Sequence, residues 1–210
     1  MPMPPTIFRF DQLVYAEPFV EEGLVSFGPA AAYNDSKLSD AQRDNELRRS
    51  TALDPARRQI AVSLPGGQPQ MLKNLLSIKV SYDIRDVTGH YLRYHILCCS
   101  LCDDTLFYNR FPVDCCITIH DQPEFQRRLD TALCAQLPNW GGFSRRVEYF
   151  SPDAVMSPET TLDLVFMKDA DHAWQQEFRY VLISPLDQAH SNRAALRLGS
   201  LKDICSIATK

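Results

Sequence analysis

Apolar residues along this chain fall mostly in short runs with polar neighbours at every second position. That period predicts half-buried strands. Thr6-Ile7-Phe8-Arg9-Phe10 alternates in this way, so Arg9 faces away from its two phenylalanine neighbours. Tyr94 to Ser100 contains the nearly unbroken apolar stretch Tyr94-His95-Ile96-Leu97-Cys98-Cys99, which predicts a central strand buried on both faces. Further strands are expected at Leu24 to Phe27, Leu75 to Val80, Cys115 to Ile119, Arg145 to Phe150 and Leu162 to Lys168. The last ones fall at 174 to 183, Leu196 to Leu198 and Ile204 to Ala208.

Helical spacing is strong once. Phe125, Leu129, Ala132, Leu133 and Gln136 share a face, so residues 123 to 137 predict an amphipathic helix. Asp121 stands at its N-cap with Glu124 three residues on, and Pro138 to Gly142 ends it. Residues 11 to 23 are interrupted by Pro18 and read as short helical turns, with Gly23 as the stop. Residues 33 to 50 are polar, with an exposed helix expected from Ser39-Asp40 and few apolar contacts at Leu38, Ala41 and Leu47. Leu64 to Pro69 and Ser151 to Pro158 read as loops. Strands and helices do not alternate regularly, which disfavours a doubly wound parallel sheet. The expected fold is α+β, with a mixed, split β-sheet core of short strands and a few peripheral helices. One domain should span 1–210.

Composition narrows the partners. With 45% hydrophobic and 23% charged residues, the chain is of ordinary globular make-up and long enough for a full core. The net charge of -4 gives no overall basic footprint for nucleic acid, though a local patch would still allow it. No apolar run approaches membrane-spanning length. Met1-Pro2-Met3-Pro4-Pro5 lacks the charged and apolar regions of a signal peptide. Seven cysteines, with Cys98-Cys99 and Cys115-Cys116 inside apolar runs, read as reduced, buried small hydrophobes. A cytoplasmic protein is expected, or an effector delivered without an N-terminal signal.

Several site classes find no motif. The chain has no phosphate-binding loop, dinucleotide-binding glycine turn, paired-histidine zinc helix or nucleophile elbow. Cys99-Ser100-Leu101-Cys102, with Cys115 and Cys116 downstream, leaves a zinc site as a minor alternative. Asp103-Asp104 after it disfavours a redox thiolate. The five histidines have no metal-ligand spacing; His95 should face the core and His172 the surface near residues 175–177. No metal is expected. Gln175 and Glu177 lie two apart in an expected strand, hence on one face. An amide that positions a nucleophile beside a carboxylate that stabilises positive charge would be a catalytic pair. A solvated strand face is the plainer reading.

Arg9, Ser100 and Gln175-x-Glu177 occur in that order, each on an expected strand. The order resembles the arginine–serine–glutamate class of ADP-ribosyltransferases, which includes bacterial toxins. The pattern Lys168…Trp174-Gln175-x-Glu177-Phe178-Arg179, with Tyr33-Asn34-Asp35 earlier and Cys99-Ser100 midway, also resembles poorly characterised bacterial proteins linked to phage defence and toxin–antitoxin loci. Two departures are visible: Cys99-Ser100-Leu101 stands where the class has Ser-Thr-Ser, and the polar stretch at 33 to 50 is not general to it. The resemblance implies NAD as substrate. It implies Arg9 on the NAD phosphates, Ser100 bracing the nicotinamide-ribose pocket, and Tyr33 or Phe27 stacking on the nicotinamide. Glu177 would stabilise the ribose cation and Gln175 would orient the acceptor. It further implies a mono-ADP-ribosyltransferase acting on a macromolecular acceptor, protein or nucleic acid, and an antitoxin or immunity partner. Two alternatives stand beside it: an NAD glycohydrolase that keeps the same pocket, and a non-catalytic interaction or immunity protein with a decayed site.

Overall fold

The computed structural model describes residues 5–34, 46–53, 61–62, 70–71, 78–86, 88–151, 160–185 and 193–210. The chain opens with β1 (Ile7–Asp11), α1 (Leu13–Glu22) and β2 (Leu24–Pro29). Then come β3 (Arg48–Leu53), β4 (Ala61–Val62), β5 (Gln70–Met71), β6 (Ile78–Asp83) and β7 (Tyr94–Ser100). The middle holds α2 (Leu106–Arg110), β8 (Cys115–Ile119), α3 (Gln122–Gln136), β9 (Gly141–Arg146) and β10 (Glu148–Phe150). The last part is α4 (Thr161–Val165), β11 (Met167–Asp169), β12 (Glu177–Ile183), β13 (Ala194–Arg197) and β14 (Cys205–Thr209). The fold is α+β. No helix among the described residues is long and apolar enough to cross a membrane.

β7 organises the sheet. One edge pairs along its whole length with β12, from Glu177 opposite Ser100 to Ile183 opposite Tyr94. The other edge is shared: β2 meets it at Ile96 and His95, and β1 meets it at Ser100. β1 and β2 therefore part beside β7, and the expected split is real. β8 and β14 continue outward from β1, β13 from β2, and β9 from β12. All these pairings are antiparallel, and the parallel pair β10–β11 lies outside the main sheet. A mixed main sheet was expected; its pairings are instead all antiparallel, and they join strands that are not consecutive in the chain.

Alternation along β7 and β12 sends side chains to two cores. Leu97, Cys99, Tyr180 and Leu182 pack with Phe19 of α1 and Phe125 and Leu129 of α3. Tyr94, Ile96 and Val181 pack with Ile84 and with Leu164, Val165 and Phe166 around α4. Each fully buried large apolar side chain contributes roughly 1.5–3 kcal/mol. Asp121 caps α3 as expected, its carboxylate accepting from the Glu124 N–H at 3.0 Å.

Four expectations change. Pro18 does not break α1, because its missing donor falls beside an exposed turn (Val14 is 64% exposed) where solvent can serve the unpaired carbonyl. Leu162 to Lys168 is a helix and a three-residue strand: Thr160 and Asp163 form a reciprocal capping box that nucleates α4. Five helical residues are too few to show their period, so Leu162, Leu164 and Phe166 mimic a strand. Arg145 to Phe150 divides at Val147, whose N–H binds the Glu177 carbonyl at 2.9 Å, and β9 begins earlier, at Gly141. Residues 174 to 176 are not strand: Ala170–Gln175 is a 3-10 turn, closed by Gln176 at φ 41°. The helix expected from Ser39-Asp40 and the loop at Leu64 to Pro69 lie outside the described residues, as do most of Ser151 to Pro158 and the start of the Leu75 strand.

Candidate functional site

Where β1 and β2 part from β7, a pocket of about 490 Å³ opens. Arg9, Tyr33, Ser100, Gln175 and Glu177 all line it. They come from β1, the 3-10 turn after β2 (Ala30–Asn34), the end of β7, the turn before β12, and the first residue of β12. Phe27 does not join them. It is fully buried in the core against α1 and α3, so it cannot stack on a ligand in this pocket. Tyr33 can: its hydroxyl lies over Gly28, where an added Cβ would sit 3.1 Å from it. Burial holds the Tyr33 phenol well above its ordinary range.

Gln175 and Glu177 meet by a different route from the expected strand pleat. The left-handed Gln176 between them breaks the alternation. Lys168 of β11 joins the two side chains, its Nζ donating to Gln175 Oε1 at 2.9 Å and to Glu177 Oε2 at 3.2 Å. Ser100 holds the backbone of the same turn, with Oγ 2.9 Å from the Gln175 carbonyl and also 2.9 Å from that of Cys102. The Glu177 N–H donates to the Tyr149 hydroxyl at 2.8 Å. Burial pushes that phenol up to about 12.

Behind Glu177 lies a closed charge network. Arg179 Nε donates to Glu177 Oε1 at 2.6 Å, and its two terminal nitrogens fork onto the Glu46 carboxylate at 2.8 Å each. Arg49 adds a 2.6 Å bond to Glu46 Oε2. Every member is at least nine-tenths buried, and Arg179 is inaccessible. Among the described residues, two carboxylates thus meet three cations. Burial alone would raise both carboxyl groups, but Arg179 and Lys168 outweigh it for Glu177 and hold it far below the carboxylate range. Arg179 and Arg49 likewise hold Glu46 down, at about 2. The Cys98 thiol hydrogen-bonds Glu177, and burial with that neighbouring charge keeps it protonated.

Arg9 is engaged on two sides. One terminal nitrogen pairs with Asp11 at 2.6 Å and the other donates to the Cys98 carbonyl at 3.2 Å. Its Nε has no partner among the described residues. Cys99 packs in the core and Cys102 bonds Ser100, so the C-x-x-C pair is divided between them. Among the described residues, no three of His, Cys, Asp and Glu converge as metal ligands. His95 is buried against Trp140, as expected, while His172 is half-buried in the 3-10 turn.

Sequence reasoning missed Glu46, Arg49 and Tyr149, and it gave Lys168 and Arg179 no chemical role. Glu177-x-Arg179 carried a usable signal, since residues two apart in a strand share a face. Glu46 carried none, because it meets Arg179 across 133 residues of chain. No protein-family model, curated protein or solved structure matches this chain.

Proposed function

We propose that the chain is an NAD-dependent mono-ADP-ribosyltransferase acting on a macromolecular acceptor, protein or nucleic acid, as the bacterial toxins do. The observation that carries this reading is the convergence of Arg9, Tyr33, Ser100, Gln175 and Glu177, from five separate elements, on one pocket. Its volume falls in the usual range for small-molecule sites, about 300–1,000 Å³. The cationic side chains of Arg9 and Lys168 in the pocket lining favour an anionic substrate, and the diphosphate of NAD is one. In this reading the bond from ribose C1′ to the nicotinamide nitrogen breaks, and nicotinamide leaves with the electron pair. A lone pair of the acceptor forms the new bond to C1′, and the acceptor's proton passes to solvent. Glu177, held ionised, stabilises the cationic ribose, and the contacts its hydroxyl would share are the long ones, Lys168 at 3.2 Å and Arg179 Nη2 at 3.3 Å. Arg9 exchanges Asp11 for a phosphate oxygen. Tyr33 supplies the ring for nicotinamide. An antitoxin or immunity protein would complete a toxin's biology.

A second reading has its own support. Gln175, the residue assigned to orient the acceptor, is only 5% exposed and already tied to Lys168. Water reaches such a group more readily than a macromolecule does, which favours an NAD glycohydrolase. Incubation of the purified chain with labelled NAD and cell lysate separates the readings. Label on macromolecules, released by protease or by nuclease, supports the transferase and names the acceptor class. Label only as free ADP-ribose supports the hydrolase. Intact NAD, with no NAD binding by calorimetry, leaves a non-catalytic interaction protein.

A further inference from the structure

Lys168 is buried at the pocket lining beside both Gln175 and Glu177. Glu46 and Glu177 are already matched by Arg49 and Arg179 through bonds of 2.6–2.8 Å. Lys168 is a third cation, 6% exposed, on a strand of three residues. Taking an ammonium out of water is costly unless its partners compensate, and lysine is seldom buried without a specific partner. What Lys168 touches in the pocket is the Gln175 amide and the Glu177 carboxylate.

The backbone between those two residues does not align them. Gln175 ends a 3-10 turn, Gln176 is left-handed, and Glu177 starts β12. A third group, Lys168, donates to both side chains. An ammonium has three donors and no acceptor. The Gln175 atom that faces it must therefore be the carbonyl oxygen, which fixes which way round the amide lies. A neutral hydroxyl or amide in place of Lys168 would impose no such choice.

We infer that Lys168 is a positioning residue of the site: its ammonium sets the orientation of the Gln175 amide and holds it against the Glu177 carboxylate. The catalytic consequence rests on the NAD-cleaving reading above, whereas the orientation itself does not. Lys168→Met tests both. It keeps the unbranched stem and does not touch the ion pairs of Arg49 and Arg179 with Glu46 or of Arg179 with Glu177.

The first readout is the side-chain amide of Gln175 by nitrogen-15 NMR, assigned by its absence in Gln175→Leu. In the wild type it should be one sharp pair of signals. In Lys168→Met it should move and broaden, and in Lys168→Arg, which restores a cationic donor, it should sharpen again. The second readout is nicotinamide release. With the pair misplaced, kcat should fall about tenfold or more while KM for NAD changes little, and Lys168→Arg should recover part of the loss. An unchanged Gln175 signal in Lys168→Met overturns the inference, as does an altered signal with unchanged kcat. A wild type that never cleaves NAD defeats the functional reading alone, and the NMR arm then decides the positioning. Should Lys168→Met not fold, the contact is read from its other side. The Lys168 Nζ–H signal should be protected from exchange in the wild type and should broaden in Gln175→Leu; persistence at wild-type sharpness overturns the inference.

Discussion

Glu177 combines two demands on one carboxylate. In the proposed reaction it must stay ionised under a cationic ribose, and it must be held still. Arg179 and Lys168 meet both, the first at 2.6 Å on Oε1 and the second at 3.2 Å on Oε2. Their charge also offsets part of its field, so its orientation counts for as much as its charge. Loss of a preorganised electrostatic group typically costs ~100-fold or more. Glu177→Ala should therefore reduce nicotinamide release by at least that factor, measured on protein whose circular dichroism matches the wild type. Gln175→Ala should act differently, lowering transfer to a macromolecule more than hydrolysis of NAD. Equal losses in both would remove Gln175 from acceptor orientation.

Among the elements, the turn from α1 into β2 has the least freedom. Gly23 takes φ +66° and ends α1, as glycine at a helix stop should. A Cβ there would also lie 1.9 Å from the Gly199 carbonyl oxygen, which belongs to backbone and cannot swing away. Gly89 has a similar φ of +84° but open space around it. Backbone strain alone costs about 1–3 kcal/mol. Gly89→Ala should thus lose about 1 kcal/mol, and Gly23→Ala roughly 3 kcal/mol or more, because a steric clash adds to the strain. Urea denaturation midpoints at constant m-value check the difference. Comparable midpoints for the two variants would mean that the turn relaxes at little cost.

Across the whole molecule, the charge network joins the segment entering β3 to β11 and β12. Arg49 also donates to the Leu164 carbonyl and Arg179 to that of Val165, so α4 is tied in too. This makes stability depend on acid. The folded-state carboxyl groups of Glu46 and Glu177 are depressed below the ordinary 4.5, Glu46 to about 2. At low pH the unfolded chain then binds more protons than the folded one, and stability falls as pH drops. The melting temperature should be level above about pH 5 and should decline from about pH 4.5 toward pH 2. Glu46→Gln should lower the plateau and flatten the decline; an unchanged slope would place the acid sensitivity elsewhere, for instance at half-buried Glu124, which Arg127 and Arg128 also hold at about 2.

Much of this architecture is written in local pattern. The two-sided burial of β7, the capped start of α3 and the apolar setting of Cys99, Cys115 and Cys116 follow from side-chain period and residue type. Those rules act within one element; they brought Gln175 and Glu177 forward as candidates, and the resemblance added Arg9 and Ser100. Tertiary structure decided how such pieces meet. It sent Phe27 into the core and Tyr33 to the pocket, it replaced the strand at Gln175 with a turn, and it brought Glu46 to Arg179 across 133 residues. Periodicity specifies which face of a segment is buried but not which distant segment will cover it. A charged group as deeply buried as Arg179 is stable only after its partners have arrived.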